Sequence, residues 1–370
     1  MYEIISHLAK RHNIYIVSFL TEKETFGLPE LQEICKEVIT VERRDFNGHS
    51  YSLFKPGFLK TFYSEKMKEM IKDILRRIDF DIIHFEYIMM AQYLPSGLKI
   101  PALITEHQIG FLYLKRHLSI EDSIYKKMVL YARFLRLYKY EVSTLRRFTK
   151  VVLLNKNESD YLRDVFGIDT LISPMGVDFE YFRNDNNIYE DTDLLYIGNF
   201  DNYQNVDAIR FFYKEVWPIL KKNLPDISLY IVGYNSKKAL GHLIDDGNIK
   251  LIDYVLDIRP YLKRCKIFIL PLRVGSGMRG KILEAMAMEK CVVSTGLGCE
   301  GLDEDALKTI IISEHPEEFV KNIGLLLEDK PFRQGLGSMA RKSIENRYSW
   351  AKVASDIERV YEYFYSKNKV

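Results

Sequence analysis

The sequence has little of what marks several protein classes. Four cysteines stand in 370 residues (Cys35, Cys265, Cys291, Cys299), with no Cys-x-x-Cys pair and no histidine at ligand spacing. That excludes a disulfide scaffold and a zinc module. Cys265 and Cys291 lie in or beside apolar runs, so buried free thiols in a reducing compartment are expected. No apolar run reaches the roughly 18 residues that span a bilayer. Residues 1–19 lack the charged, apolar and small-residue succession of a secretory signal and read as an amphipathic helix followed by a strand. A cytoplasmic protein is therefore expected. Net charge is only +2, so the chain as a whole advertises no polyanion partner, and no nucleic-acid motif accompanies its basic residues. There is no internal repeat or low-complexity tract. No Asp-x-Asp stands at a strand end, and neither a metal site nor a cofactor is expected.

What is present is globular: 47% hydrophobic and 28% charged residues, in a chain long enough for two domains. Strand-length apolar runs alternate with helical patterns throughout, the signature of parallel α/β structure. In the first half strands are predicted at 14–19, 37–40, 82–85, 102–105, 151–154 and 170–172, with helices at 2–11, 60–77, 119–149 and 156–166. Ser173-Pro-Met-Gly-Val-Asp178 and the polar run 183–193 mark a linker. Strands follow at 194–198, 228–232, 249–251, 267–270, 292–294 and 309–312. Helices are predicted at 205–223, 257–264, 281–288, 316–327, 331–347 and 350–366. The expected organisation is a domain over 1–173, a linker over 174–193, a second domain over 194–349, and a last helix, 350–370, able to pack back on the first domain. Functional residues are expected in turns directly after strands.

The most informative turn is Pro271–Thr295. Gly275, Gly277 and Gly280 let the backbone approach a ligand, and a helix starts near Lys281. Its N-terminal amides, with Arg273, Arg279 and Lys281, form an anion site suited to a diphosphate. Glu284, one turn into the helix, suits hydroxyls of a ribose or hexose rather than phosphate.

Gly277-x-Arg279-x-Lys281-Ile-Leu-Glu284-Ala-Met-Ala, then a basic residue, Val-Val and Ser-Thr, resembles the donor motif of retaining glycosyltransferases of family 4. Pro174-Met-Gly-Val-Asp178, Leu195-Tyr-Ile-Gly198, Asn205-Val-Asp207 with Trp217-Pro218, and Ile231-Val-Gly233 match in the expected order. Asn205-Val-Asp207 with Trp217-Pro218, and Ile231-Val-Gly233, are similar to the subset linked to surface-polysaccharide and exopolysaccharide assembly. The resemblance implies the GT-B architecture, two Rossmann-like domains whose parallel sheets face a central cleft. It also implies transfer of a hexose from a UDP- or GDP-sugar to a glycan or lipid-linked acceptor, with retention and without a metal.

Residue by residue, Glu284 matches the glutamate used on the nucleotide ribose. The family's first glutamate falls at Ser276, eight positions earlier, leaving the amides of Gly277 and Met278 for the sugar or phosphate. Relatives carry an Arg and a Lys after the first strand of the second domain. Here the stretch Gly198–Asn205 holds no cation, so Arg279 and Lys281 are expected to replace them. Gly198, Asn199 and Asp201 are expected near the donor, with Val255 in the loop that holds the base. Thr105-Glu106-His107 resembles the family segment whose histidine lies near the reacting sugar, which makes His107 and Glu284 the candidate catalytic residues. His84, Glu86 and Glu106 are the candidate acceptor-side residues beside His107.

A Rossmann-like domain normally opens with a strand and a glycine turn; here the chain opens in a helix, so the first strand is expected to be missing. Residues 111–150 carry ten lysines and arginines against Glu121, Asp122 and Glu141, with interleaved aromatics, a pattern suited to an anionic membrane surface or to a solvated helix. Two alternatives to transfer are a sugar-nucleotide 2-epimerase of similar architecture and a non-catalytic nucleotide-sugar-binding partner.

Overall fold

In the computed structural model each apolar run becomes a parallel strand. The structure describes residues 1–21, 27–43, 56–184 and 190–368. Residues 185–189 of the expected linker and 369–370 of the expected last helix lie outside them. The chain divides into two units, Met1–Pro174 with Trp350–Val370, and Met175–Ser349.

The first unit holds β1 (Tyr15–Leu20), β2 (Glu37–Glu42), β3 (Ile83–Glu86), β4 (Ala102–Glu106), β5 (Lys150–Leu153) and β6 (Thr170–Ile172). Its strands form two separate sheets: β1 with β2, and β3-β4-β5-β6. All are parallel, with Ile83 opposite Ala102 and Leu103 opposite Lys150. Strand β4 has a partner on each side and is buried along its whole length, as an apolar run in a covered parallel sheet should be. The closing helix Trp350–Asn368 places Val353 and Ile357 against Leu8 of the first helix, Tyr2–Leu8.

The second unit holds β7 (Thr192–Ile197), β8 (Leu229–Val232), β9 (Ile249–Ile252), β10 (Cys265–Leu270), β11 (Cys291–Ser294) and β12 (Ile311–Ile312), in the order β12-β11-β10-β7-β8-β9. The chain runs outward from β7 to β9, returns to β10 on the other side of β7, and runs outward again. The direction of winding therefore reverses between β7 and β10, and in such sheets ligands bind outside the carboxyl ends of the strands at that reversal. Phe268 and Ile269 at the centre are fully buried, each contributing on the order of 2 kcal/mol by removal from water.

Three long helical patterns differ from expectation. The helix predicted over 119–149 is two, Gly110–Ile120 and Ile124–Leu145, because Ser123 caps the second by accepting from the Lys126 amide. The pattern over 60–77 is likewise broken by Ser64, which caps Glu65–Arg77. Over 205–223 the chain forms Tyr203–Phe211, a π-turn Phe212–Val216, and Trp217–Asn223, whose first turn accommodates Pro218. All four cysteines are free and buried.

Candidate functional site

Within the second unit, the turn after β7 and the loop after β10 lie side by side because the strands are neighbours. Tyr196 donates to the side chain of Asn205 (2.7 Å), and Asn205 donates to the Asn199 carbonyl (2.7 Å), which fixes the turn Gly198–Asn202. Asp201 accepts from Asn235 in the turn after β8 (2.7 Å). Val255 is half-buried in the turn after β9, two strands from β7.

The loop Leu272–Arg279 is largely buried and leads into the helix Gly280–Ala287, whose N-terminus has no side-chain cap. Gly275 has φ +152, and a Cβ there would meet the Arg279 guanidinium at 1.9 Å, so glycine is required. The Arg279 side chain turns back over the loop and donates to the Ser276 carbonyl. Ser276 is itself buried. Met278 is buried and Gly277 takes a positive φ of 77. Lys281 and Glu284 pair on the same helix face at 2.9 Å. Arg273 projects the other way: it donates to both oxygens of Asp207 (2.6 and 3.1 Å) and lies over the Phe211 ring. Met175 packs against Gly280 at the helix start. The sequence-predicted residues Gly198, Asn199, Asp201, Gly275, Ser276, Gly277, Met278, Arg279, Lys281 and Glu284 thus sit on adjoining turns of one sheet edge. Asp207, which anchors Arg273, entered the sequence reading only as part of a motif.

In the first unit, β3 and β4 end in neighbouring turns. His107 Nε2 lies 3.1 Å from Glu86, and its ring stacks on Tyr87 at 4.3 Å between centroids. Tyr87 holds φ 68, an uncommon conformation for a bulky residue, at this same turn. His84 lies behind, between the Tyr361 hydroxyl (2.6 Å) and Thr105 Oγ1 (2.7 Å). Burial lowers its pKa, and a neutral ring flanked by two hydroxyls is satisfied in either tautomer.

Glu106 differs from its neighbours. Its carboxyl is buried, Oε1 has no hydrogen-bond partner, and burial with nearby Glu141, Glu86 and Glu158 raises its pKa well above the usual carboxylate range. Of the four acceptor-side candidates, His84, Glu86 and His107 form one connected cluster, while Glu106 is turned into the core. Sequence reasoning missed Glu141. Its two oxygens accept from the amides of Gly110 (3.0 Å) and Phe111 (2.9 Å), clamping the helix that follows His107. A Cβ at Gly110 would meet that carboxylate at 2.7 Å.

Among the described residues no group of three His, Cys, Asp or Glu could hold a metal ion, and no helix is long and apolar enough to cross a membrane.

Comparison with known proteins shows the family and the fold. Residues 191–329 match the family Glycosyl transferases group 1, and residues 1–181 match Glycosyltransferase Family 4. The chain belongs to the glycosyltransferases of family 4, and it is an enzyme of that class. This glycosyltransferase is 26% identical over 359 residues to an uncharacterised 44.6 kDa protein of the cps region of Klebsiella pneumoniae, covering 92% of this chain and 89% of that one. It shares the fold of sucrose-phosphate synthase from Thermosynechococcus elongatus, at TM-score 0.71 and 15% identity, over 95% of this chain and 99% of that chain. It shares it also with HepE of Anabaena, solved with UDP and glucose, at TM-score 0.63 and 12% identity over 93% and 98% of the two chains. Those neighbours have the GT-B architecture, and the glycosyltransferase has it too.

Proposed function

We propose that this glycosyltransferase moves a hexose from a UDP- or GDP-sugar to a glycan or lipid-linked acceptor of surface-polysaccharide assembly, with retention and without a metal. The observation that carries the proposal is the loop after β10. A glycine-bearing turn runs into an uncapped helix N-terminus with Arg279 and Lys281 beside it and Glu284 one turn further, at the reversal point of the sheet. A diphosphate suits the amides and the two cations, and a ribose suits the Glu284 carboxylate. Gly198, Asn199 and Asp201 flank the donor, Val255 lies in the turn for the base, and Ser276, Gly277 and Met278 line the sugar or phosphate, while Arg273, neutralised by Asp207, braces the loop from behind. That HepE has been solved with UDP and glucose supports a nucleotide sugar as donor.

In the reaction the bond from the anomeric carbon to the diphosphate oxygen breaks, and its electron pair leaves with the diphosphate. The acceptor hydroxyl forms the new bond on the face the diphosphate vacates, and its proton passes to the departing phosphate oxygen. Cations and helix dipole stabilise the leaving charge, so no strong general base is needed. His107, held by Glu86 and Tyr87, serves the reacting sugar, with His84 and Glu106 behind it. The enzyme would work in the cytoplasm, at the inner face of the membrane, with residues 111–150 in contact with anionic lipid.

The test is to trap the nucleotide product. Release of UDP or GDP only in the presence of an acceptor supports transfer. Interconversion of free nucleotide sugars would instead indicate an epimerase, and neither reaction would indicate a binding role.

A further inference from the structure

We infer that the outer face of the helix Ile124–Leu145 is a docking surface for an anionic lipid bilayer, with Ile124, Met128, Tyr131 and Leu135 as the residues that enter it. This extends the membrane contact proposed for residues 111–150 and does not depend on the donor-site assignment.

The four side chains recur at the spacing i, i+4, i+7, i+11, which places them in one stripe along the helix. They are 77%, 68%, 55% and 46% exposed. A helix at a water-facing surface normally turns such a stripe inward. Here Leu130 and Leu145 are buried on a neighbouring face, and the line of the stripe itself becomes buried only further along, at Val142. From Ile124 to Leu135 the stripe is therefore left uncovered among the described residues, while the neighbouring face packs into the fold. Tyr125, 76% exposed, adds an aromatic ring beside the stripe's first turn.

The charges around the stripe select its partner. By helical geometry Lys127 borders it on one side and Lys139 on the other. Lys126, Arg133 and Arg136 lie further round the helix. The one acid in the helix, Glu141, is buried with its oxygens on the Gly110 and Phe111 amides. The outer face thus presents apolar side chains between charges of a single sign, the composition of a helix that lies in the plane of an anionic interface. From residue 124 to 135 the stripe runs about 17 Å at 1.5 Å per residue, too short to cross a bilayer and suited to lying along its surface. Two copies meeting along this stripe would bring Lys127 and Lys139 of each against like charges, so a second copy is the poorer occupant.

The experiment is flotation of the full chain with vesicles of phosphatidylglycerol and phosphatidylcholine, against vesicles of phosphatidylcholine alone. The chain should float with the anionic vesicles and not with the neutral ones. The Ile124→Ser/Met128→Ser variant should lower that partitioning by about tenfold or more. Lys127→Glu/Lys139→Glu should lower it and weaken its dependence on salt. A Leu135→Trp variant should shift its fluorescence to the blue on addition of anionic vesicles only. These positions are exposed, so the wild-type affinity for UDP should persist in each variant, which reads the donor site separately, and an unchanged circular-dichroism spectrum and melting temperature report that the first unit is intact. Absence of flotation with anionic vesicles would overturn the inference. So would undiminished flotation of the Ile124→Ser/Met128→Ser variant, or a wild-type dimer that this variant turns into a monomer, which would assign the stripe to a second copy.

Discussion

The guanidinium of Arg273 donates to both carboxylate oxygens of Asp207, at 2.6 and 3.1 Å, across 66 positions of sequence. Asp207 is 5% exposed, so the pair ties the first helix after β7 to the loop after β10 from beneath. Breaking such a pair from the exposed side leaves a buried charge without its cation. Arg273→Ala should therefore destabilise the second unit by about 2–3 kcal/mol. Asp207→Asn, which leaves no buried charge, should cost less. Urea midpoints of the two variants, measured side by side, check the order; equal costs would contradict it.

The loop itself makes a sharper demand at Gly275. Alanine there would take an unfavourable φ and occupy the place of the Arg279 guanidinium. Gly275→Ala should displace Arg279, weaken UDP binding by about tenfold or more, and lower the melting temperature through the strained φ. Titration calorimetry with UDP measures the effect.

In the first unit the pair His107–Glu86 is expected to act on turnover rather than on the nucleotide. His107→Ala should lower kcat by about 10- to 100-fold, with UDP affinity unchanged. Glu86→Gln keeps a hydrogen-bond acceptor near the ring and should cost less. Steady-state kinetics on both variants separates kcat from KM; a loss confined to KM would remove His107 from the chemistry.

The buried carboxyls give a pH dependence with a definite sign. Burial, only partly offset by the Phe111 and Gly110 amides, pushes Glu141 up to about 8, and burial likewise raises Glu106. An acid whose folded pKa lies above its unfolded value retains a proton that the unfolded chain has released. Stability of the first unit should therefore fall as pH rises from the ordinary carboxylate range through about 8, and level off above it. Thermal melts across that range should show the slope, and Glu141→Gln should flatten it. Gly110→Ala, which drives a methyl into the same carboxylate, should lower the melting temperature at every pH.

Much of this architecture was legible in the residues. All twelve predicted strands form, because each is an apolar run between turn signals and parallel strands covered on both faces need little else. The glycine-rich turn after β10 was legible for the same reason: glycines, cations and a following helix are local features. Helix ends were less so. The break at Glu121–Ser123 hides inside a continuous run of charged and aromatic residues, and only the Ser123 cap reveals it. Least legible were pairings set by strand order. Nothing local says that Arg273 turns to Asp207, since that follows from β10 lying beside β7. Nor does anything local turn Glu106 inward while its neighbour His107 meets Glu86.

Glu284 is the side chain proposed to meet the nucleotide. It lies on the helix Gly280–Ala287, paired with Lys281 at 2.9 Å and partly exposed on the outward side of that helix. The most direct measurement is the UDP affinity of Glu284→Ala against wild type by titration calorimetry, with melting temperatures as a control. A loss of affinity of about tenfold or more, with the fold retained, is the predicted result. Unchanged affinity would contradict the assignment of this loop to the donor.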